Sequence, residues 1–93
     1  MWKYKLCTGA TQVCNGPCIV KKIILYHTDV ATAKIYNQVK GGDALDDDKR
    51  VWTLNSTAAI PKDEIDFGIQ GADFYEGCYI DHALGEVLVV YKH

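Results

Sequence analysis

Two runs of β-branched and aromatic residues, separated by a short polar segment, constrain the fold of this chain more than any other feature. The runs are residues 18–27 and 33–37, and the polar segment is residues 28–32. Such side chains favour extended backbone, and two runs around a turn are typical of a β-hairpin. We therefore predict a hairpin over residues 18–37 at the centre of a small all-β domain. One face of its first strand is expected to carry Ile19, Ile23 and Leu25.

Shorter segments elsewhere show the same alternation of apolar and polar residues. Trp2, Tyr4 and Leu6 alternate with polar neighbours and predict a first strand. Residues 51–54 and 65–69 predict two more strands. Between the central hairpin and residue 51, two adjacent glycines and three adjacent aspartates predict an exposed, mobile connection.

The last part of the chain is expected to form a second hairpin. Residues 78–81 and 86–91 predict strands on either side of a four-residue loop at 82–85. Residues 61–64 fit one helical turn with proline at its first position. No window of a dozen residues shows a helical period. We therefore predict an all-β fold, a small antiparallel β-sandwich or jelly-roll-like barrel of about seven short strands, as one domain over residues 1–93.

The size of the chain favours association with copies of itself. Surface scaling for 10.4 kDa gives about 5,400 Å² of folded surface, so about 64% of the unfolded surface is buried. That burial supplies about 145 kcal/mol, against about 140 kcal/mol for ordering the chain. A monomer has little surplus stability, and subunit contacts are expected to add to it.

Composition argues against a nucleic-acid partner and against a membrane location. Ten basic residues are balanced by 12 acidic ones, whereas a phosphate-binding surface is basic. The longest apolar run, Ile23 to Tyr26, is far too short to span a bilayer, and no secretory h-region follows Met1. The protein is therefore expected to be made in a cytosol, where cysteines are usually reduced.

The four cysteines leave three interpretations open. They are Cys7, Cys14, Cys18 and Cys78. A zinc site, completed by His27 or His82, lacks the tight C-x2-C pairs that such sites use. Disulfide pairing requires an oxidising environment. Reduced thiols packed as small apolar groups are the favoured interpretation, and no metal or other cofactor is predicted.

No catalytic constellation is evident, and we predict that the protein is not an enzyme. The single serine, Ser56, lacks a glycine elbow, and the histidines are expected in turns or at the terminus. The acidic loop from Asp43 to Asp48 lacks the ligand spacing of an EF-hand. Aromatic residues could form a platform for sugars, although such residues more often fill cores and interfaces: Trp2, Tyr26, Tyr36, Trp52, Phe74, Tyr75, Tyr79 and Tyr91.

The order of these features resembles that of short bacteriophage proteins that build β-sandwich components of the virion. The resemblance covers residues 15–91 and depends on scaffold segments: Gly16-Pro17, Ile23 to Thr28, Ala33 to Asn37, Phe74 to Ile80 and Val87 to Tyr91. Neither the cysteines nor the aspartate-rich loop belongs to the pattern. Proteins of this kind are associated with phage heads, as decoration or cement proteins, or with tails and fibres.

The resemblance implies a structural protein of the virion, made in the host cytoplasm. Its partner would be the major capsid protein, bound by a homo-oligomer, with a trimer favoured. The expected contact residues are Trp2, Tyr4, Asp43 and Asp73. Two alternatives remain open: a carbohydrate-binding module of a tail or fibre, and a small metal- or redox-linked regulator that uses the cysteines.

Overall fold

The computed structural model describes residues 1–93 and contains nine β-strands and one short 3-10 helix. The predicted all-β antiparallel sandwich is therefore confirmed, with nine strands rather than about seven. The strands are β1 (Lys3–Cys7), β2 (Thr11–Cys14), β3 (Cys18–Tyr26), β4 (Ala31–Tyr36), β5 (Arg50–Ser56), β6 (Lys62–Asp66), β7 (Ala72–Phe74), β8 (Cys78–His82) and β9 (Glu86–Lys92). The 3-10 helix is Asp47–Lys49.

The strands form two antiparallel sheets. Sheet A has the order β1-β9-β3-β6, and β7 pairs with β3 beyond the end of β6; sheet B has the order β2-β8-β4-β5. Of strands that follow each other in the chain, only β4 and β5 are hydrogen-bonded neighbours. The central strands of sheet A are β9 and β3, whose pairing extends from Tyr26 opposite Glu86 to Ile19 opposite Lys92.

Both predicted hairpins are wrong for the same reason. The turn after β3 carries the chain across to sheet B, where β4 pairs with β5 and β8. The turn after β8 likewise carries the chain to sheet A. Alternation of side chains reports which residues share a face of a strand, but it does not report which strand is the neighbour.

A β-bulge at Lys21 changes the face on which Ile19 lies. The pairing of β3 with β9 skips Lys21 between Val20 and Lys22. As a result Val20, Ile23 and Leu25 are fully buried, while Ile19 is only half-buried. A bulge adds one residue to a strand and shifts its alternation by one. The prediction that Ile19 shares a face with Ile23 is therefore wrong.

The core is one apolar cluster between the two sheets. Sheet A contributes its inward residues from β1, β3, β7 and β9, and sheet B contributes those from β2, β4, β5 and β8; the largest fully buried side chains are Phe74, Ile23, Leu25, Ile35, Leu54 and Ile80. All four cysteines belong to this cluster. The accessible surface of 5388 Å² agrees with the about 5,400 Å² expected from mass alone.

The segment predicted as a helical turn is extended. Residues 62–66 form β6, which pairs with β3 from Tyr26 opposite Lys62 to Lys22 opposite Asp66. Pro61 lies just before the strand, and its carbonyl accepts the amide hydrogen of His27 at 2.9 Å. The alternating pattern places Ile65 against the core, so burial of one side chain favours strand over helix.

The connection after β4 is anchored to the rest of the fold, although most of its side chains are exposed. The Gln38 side chain accepts the amide hydrogen of Asp46 and donates to the carbonyl of Ala44. The Gln12 side chain reaches the same connection, accepting from the Lys40 amide and donating to the Gln38 carbonyl. Gln38 itself is buried. The prediction of an exposed connection is therefore correct for the aspartates, and it is wrong for Asn37 and Gln38 at its start, which are buried.

Candidate functional site

The outer face of sheet A carries an apolar strip, which is the most distinctive surface of the molecule. We define it by six residues: Tyr4, Leu6, Ile24, Tyr26, Leu88 and Val90. Cross-strand pairing makes it continuous, because Leu6 lies opposite Leu88 and Leu88 lies opposite Ile24. Tyr4 is 70% exposed and Leu6 is 53% exposed.

Charged residues of both signs border the apolar strip. On β6 the Glu64 carboxylate lies 3.1 Å from the ammonium of Lys22 and 3.8 Å from that of Lys62. Glu86 pairs with Tyr26 in register at the other end. An apolar centre with a charged margin is the usual composition of a protein interaction surface.

The outer face of sheet B is mainly polar by contrast. It carries Thr32, Lys34, Thr53, Asn55 and Asp81, and the Thr32 hydroxyl donates to Asn55 at 3.0 Å. Two tyrosines, Tyr36 and Tyr79, lie opposite each other on the same face, and Tyr36 is buried. Alternation of apolar and polar residues is what a solvated outer face requires. Strands β3 and β9 of sheet A depart from that rule, whereas most of the outer face of sheet B follows it.

The sequence carries a signal for the apolar strip that alternation alone does not use. In residues 23–25 and 87–90 the apolar residues are consecutive, so both faces of β3 and β9 are apolar there. Strands that are covered on both faces have this pattern. Leu6, Ile24, Leu88 and Val90 were not among the predicted contact residues.

Three of the four predicted contact residues lie on the same face. Trp2 precedes β1, Tyr4 lies opposite Val90, and Asp73 lies opposite Ile19 on the outer side of β7. Asp43 does not join them, because it is an exposed residue of the connection that follows β4 in sheet B.

Trp2 is held by contacts within the chain. The ammonium groups of Lys92 and Lys21 lie 4.6 Å and 5.4 Å from its ring centroid, which is cation–π geometry. A methyl group added at Gly71 would meet the Trp2 ring at 3.3 Å and the Val20 carbonyl at 2.9 Å. The indole therefore covers the end of sheet A and is only half exposed.

One edge of sheet A is β1, which pairs only with β9, and the opposite edge is formed by β6 and β7. Lys3 and Lys5 lie on this edge and are both exposed. A twofold pairing of β1 with its copy, centred anywhere from Lys3 to Lys5, places lysine opposite lysine. Like charges directly opposite are unfavourable, and edge lysines are a common protection against such pairing.

A groove of about 570 Å³ lies beside the end of sheet A. Tyr75, which is largely exposed, and Asp73 form part of its wall. The remaining lining residues are Met1, Pro17, Cys18, Ile19, Lys92 and His93. One aromatic ring beside charged side chains is a combination that can bind a sugar by stacking and hydrogen bonding.

The four cysteines are buried free thiols. Burial is the largest cause that raises the pKa of each one, and it raises that of Cys18 from 9.0 to about 12. Cys14 and Cys18 lie close enough for each to shift the pKa of the other, and Cys14 lies opposite Cys78 in the β2–β8 pair. Since the thiolate is the form that binds metals, high pKa values weaken these groups as ligands.

No group of three or more His, Cys, Asp or Glu side chains is arranged so that it could hold a metal ion. The prediction that His82 lies in a turn is wrong, because His82 is the last residue of β8 and is buried. Its Nδ1 lies 3.4 Å from the carbonyl oxygen of Leu84, and its Nε2 has no partner. Ser56, also predicted in a loop, ends β5 and donates its hydroxyl to the Asp29 carbonyl at 2.9 Å.

None of the helices in the structure has the length and apolar character needed to cross a membrane. Comparison with known protein families, with curated proteins and with solved structures finds no match to this chain.

Proposed function

We propose that this protein is a non-enzymatic structural component of a bacteriophage particle, most specifically a capsid decoration protein. It binds the major capsid protein as a homo-oligomer, with a trimer favoured, and uses neither nucleic acid, membrane nor cofactor. The proposal takes its virion setting from the resemblance of residues 15–91 to phage sandwich proteins. The observation that carries it is the apolar strip on the outer face of sheet A.

The size of the apolar strip favours a particle surface over a stable soluble pair. One residue covers about 33 Å² of a sheet face, from a strand spacing of about 4.8 Å and a repeat of about 6.8 Å. Six residues therefore cover about 200 Å², well below the about 800 Å² per partner of a standard interface. Such a contact is weak when it is single. Repeated around a symmetric particle, it becomes strong through simultaneous engagement.

The lysines of β1 favour cyclic assembly over twofold edge pairing. A trimer uses two different patches of each subunit, so that no residue has to face its own copy. In a decoration protein these subunit contacts are separate from the face that binds the capsid. The mixed charges that border the apolar strip give that face its orientation.

The proposal is tested with purified protein and expanded capsids of the virus that encodes it. Light scattering measures the mass in solution, and sedimentation measures co-pelleting with capsids. We expect a mass of three chains and saturable co-pelleting. A monomer that never pellets with capsids contradicts the proposal.

A matched pair of variants assigns the contact face. Leu6→Asp changes an exposed aliphatic residue in β1 on the apolar strip, and Val51→Asp changes one in β5, an edge strand of sheet B. We expect Leu6→Asp to weaken capsid binding at least tenfold and Val51→Asp to leave it unchanged. Equal effects of both variants contradict this assignment.

The groove beside sheet A favours a second candidate, a carbohydrate-binding module of a tail or fibre. Tyr75 offers an exposed ring for stacking, and Asp73 offers an acceptor for sugar hydroxyls. Glycan-array binding that is lost in Tyr75→Ala, without any affinity for capsids, would support this candidate over the first. Absence of binding to every glycan on the array eliminates it.

A further inference from the structure

Two of the four thiols are neighbours at a crossing between the sheets. Cys14 ends β2 in sheet B, and Cys18 begins β3 in sheet A. Only Asn15, Gly16 and Pro17 separate them, and the two thiols are close enough for each to shift the pKa of the other. Both side chains point into the core at this crossing, because both residues belong to the buried cluster.

The same two thiols are the ones that small molecules can approach. Cys14 lines a pocket of about 320 Å³ together with the residues of the crossing, and Cys18 lines the adjacent groove of about 570 Å³. Each is 5% exposed. Cys7 and Cys78 line neither cavity, and their exposed fractions are 1% and 0%.

We propose that Cys14 and Cys18 form a disulfide across the Asn15-Gly16-Pro17 crossing when the protein meets a small disulfide such as oxidised glutathione, while Cys7 and Cys78 remain thiols. The bond joins the last residue of a sheet B strand to the first residue of a sheet A strand. It makes this crossing a modification site that is independent of any capsid role.

The reaction proceeds by two exchanges. The Cys14 thiolate attacks one sulfur of the small disulfide, so that a mixed disulfide forms and one small thiolate leaves. The Cys18 thiolate then attacks the Cys14 sulfur, the protein disulfide forms, and the second small thiolate leaves. Two cysteine thiols are oxidised and one small disulfide is reduced. The two cysteine protons end on the two small thiols.

The reaction is expected to be slow at neutral pH and faster in mild alkali. Burial raises the pKa of both thiols, so only a small fraction of either is thiolate at pH 7. Below those pKa values the thiolate fraction rises about tenfold per pH unit. We therefore expect the rate to increase by about that factor between pH 7 and pH 8.

The experiment uses the intact chain, reduced and then freed of reductant. The protein is incubated with oxidised glutathione at pH 7, 8 and 9, denatured in the presence of an alkylating reagent, and digested with trypsin without reduction. Cleavage after Lys5 and Lys21 gives a peptide of residues 6–21 that contains three cysteines, and Cys78 is in the peptide of residues 63–92. A disulfide between two of Cys7, Cys14 and Cys18 therefore stays within one peptide, whereas a disulfide to Cys78 joins two peptides.

The expected product is peptide 6–21 with two hydrogens fewer and one alkyl group, which fragmentation locates at Cys7. Peptide 63–92 is expected to be alkylated at Cys78. Cys7→Ser should still form the bond, and Cys14→Ser should not. Wild-type peptide mapping stays decisive if Cys14→Ser fails to fold.

Two results overturn the proposal. One is a peptide that joins residues 6–21 to residues 63–92, or an internal bond that includes Cys7. The other is full alkylation of all four cysteines after a day at pH 9, in a sample whose denatured control is oxidised by the same reagent.

Discussion

The buried thiols make stability depend on pH in the alkaline range. The folded pKa of Cys18 is about 12, whereas an exposed thiol has an ordinary value of 9.0. A group whose folded pKa is raised contributes its full stabilisation below the unfolded pKa and loses it as pH rises toward the folded pKa. Unfolding is therefore expected to become easier above about pH 9.

We predict that the free energy of unfolding falls between pH 9 and pH 11, with Cys18 contributing up to about 1.4 kcal/mol per pH unit. Urea unfolding at a series of pH values measures the slope. Cys18→Ala is the comparison, because it removes one titrating thiol while tyrosines and lysines titrate as before. If both proteins have the same slope, Cys18 does not titrate with the pKa described here.

Residue-scale prediction from the sequence succeeded where the chemistry of the side chain decides its burial, and failed where the position of a neighbouring residue decides it. Reduced, apolar packing of the cysteines was the favoured interpretation, and the structure contains four buried free thiols. Ile19 was placed on the wrong face because a single extra residue, Lys21, shifts the register. Ser56 and His82 are buried at strand ends, a position that no local pattern distinguishes from a turn.

At the scale of elements, one asparagine fixes the turn between β7 and β8. The Asn37 side-chain oxygen accepts the amide hydrogens of Glu76 at 2.9 Å and Gly77 at 3.3 Å. Gly77 has no room for a side chain, since an added methyl group would lie 2.7 Å from the Cys14 carbonyl. Without Asn37 these two amides lose their acceptor in a crowded place.

We predict that Asn37→Ala lowers the free energy of unfolding by about 2–4 kcal/mol, because an unsatisfied buried amide costs about 1–3 kcal/mol. Asn55→Ala, which removes an exposed hydrogen bond to Thr32, should cost less than about 1 kcal/mol. Urea unfolding of the three proteins gives the comparison. Equal losses in both variants would show that the turn does not depend on Asn37.

The sequence predicted which segments form strands much better than it predicted which strands pair with each other. The runs that became β1, β3, β4, β5, β8 and β9 were all recognised from period two and β-branched residues. β6 was taken in part for a helical turn, since Pro61 and the charged residues after it fit a helix start as well as an edge strand. Of the apolar strip, only Tyr4 was among the predicted contact residues. Ile24 was missed because alternation with Ile23 and Leu25 assigns it to solvent, and Leu6 was grouped with Trp2 and Tyr4 but not named as a contact.

At the scale of the whole molecule, the last strand of the chain connects the parts of sheet A. β9 lies between β1 and β3, which do not pair with each other. Val87 and Val89, its inward residues, are fully buried. Loss of β9 therefore removes both a layer of the core and the bridge that connects β1 to the sheet.

We predict that residues 1–85 do not fold, whereas residues 9–93, which lack only the edge strand β1, retain a cooperative but weaker unfolding transition. Thermal unfolding followed by circular dichroism distinguishes a cooperative, sigmoidal transition from a gradual change in signal without a transition. Adding a peptide of residues 86–93 to fragment 1–85, which lacks β9, should restore the transition. A cooperative fragment 1–85 would contradict the central role of β9.

The position of β9 at the end of the chain also means that sheet A can form in a living cell only after β9 has been synthesised. A nascent chain leaves the ribosome from its amino end, so β1 and β3 emerge long before the strand that must lie between them. No stable hairpin is available to shelter their apolar residues in the meantime, and topologies dominated by distant pairings fold in milliseconds to seconds. Each molecule therefore has an interval, after synthesis of β8 and before closure of sheet A, in which holding chaperones compete with aggregation.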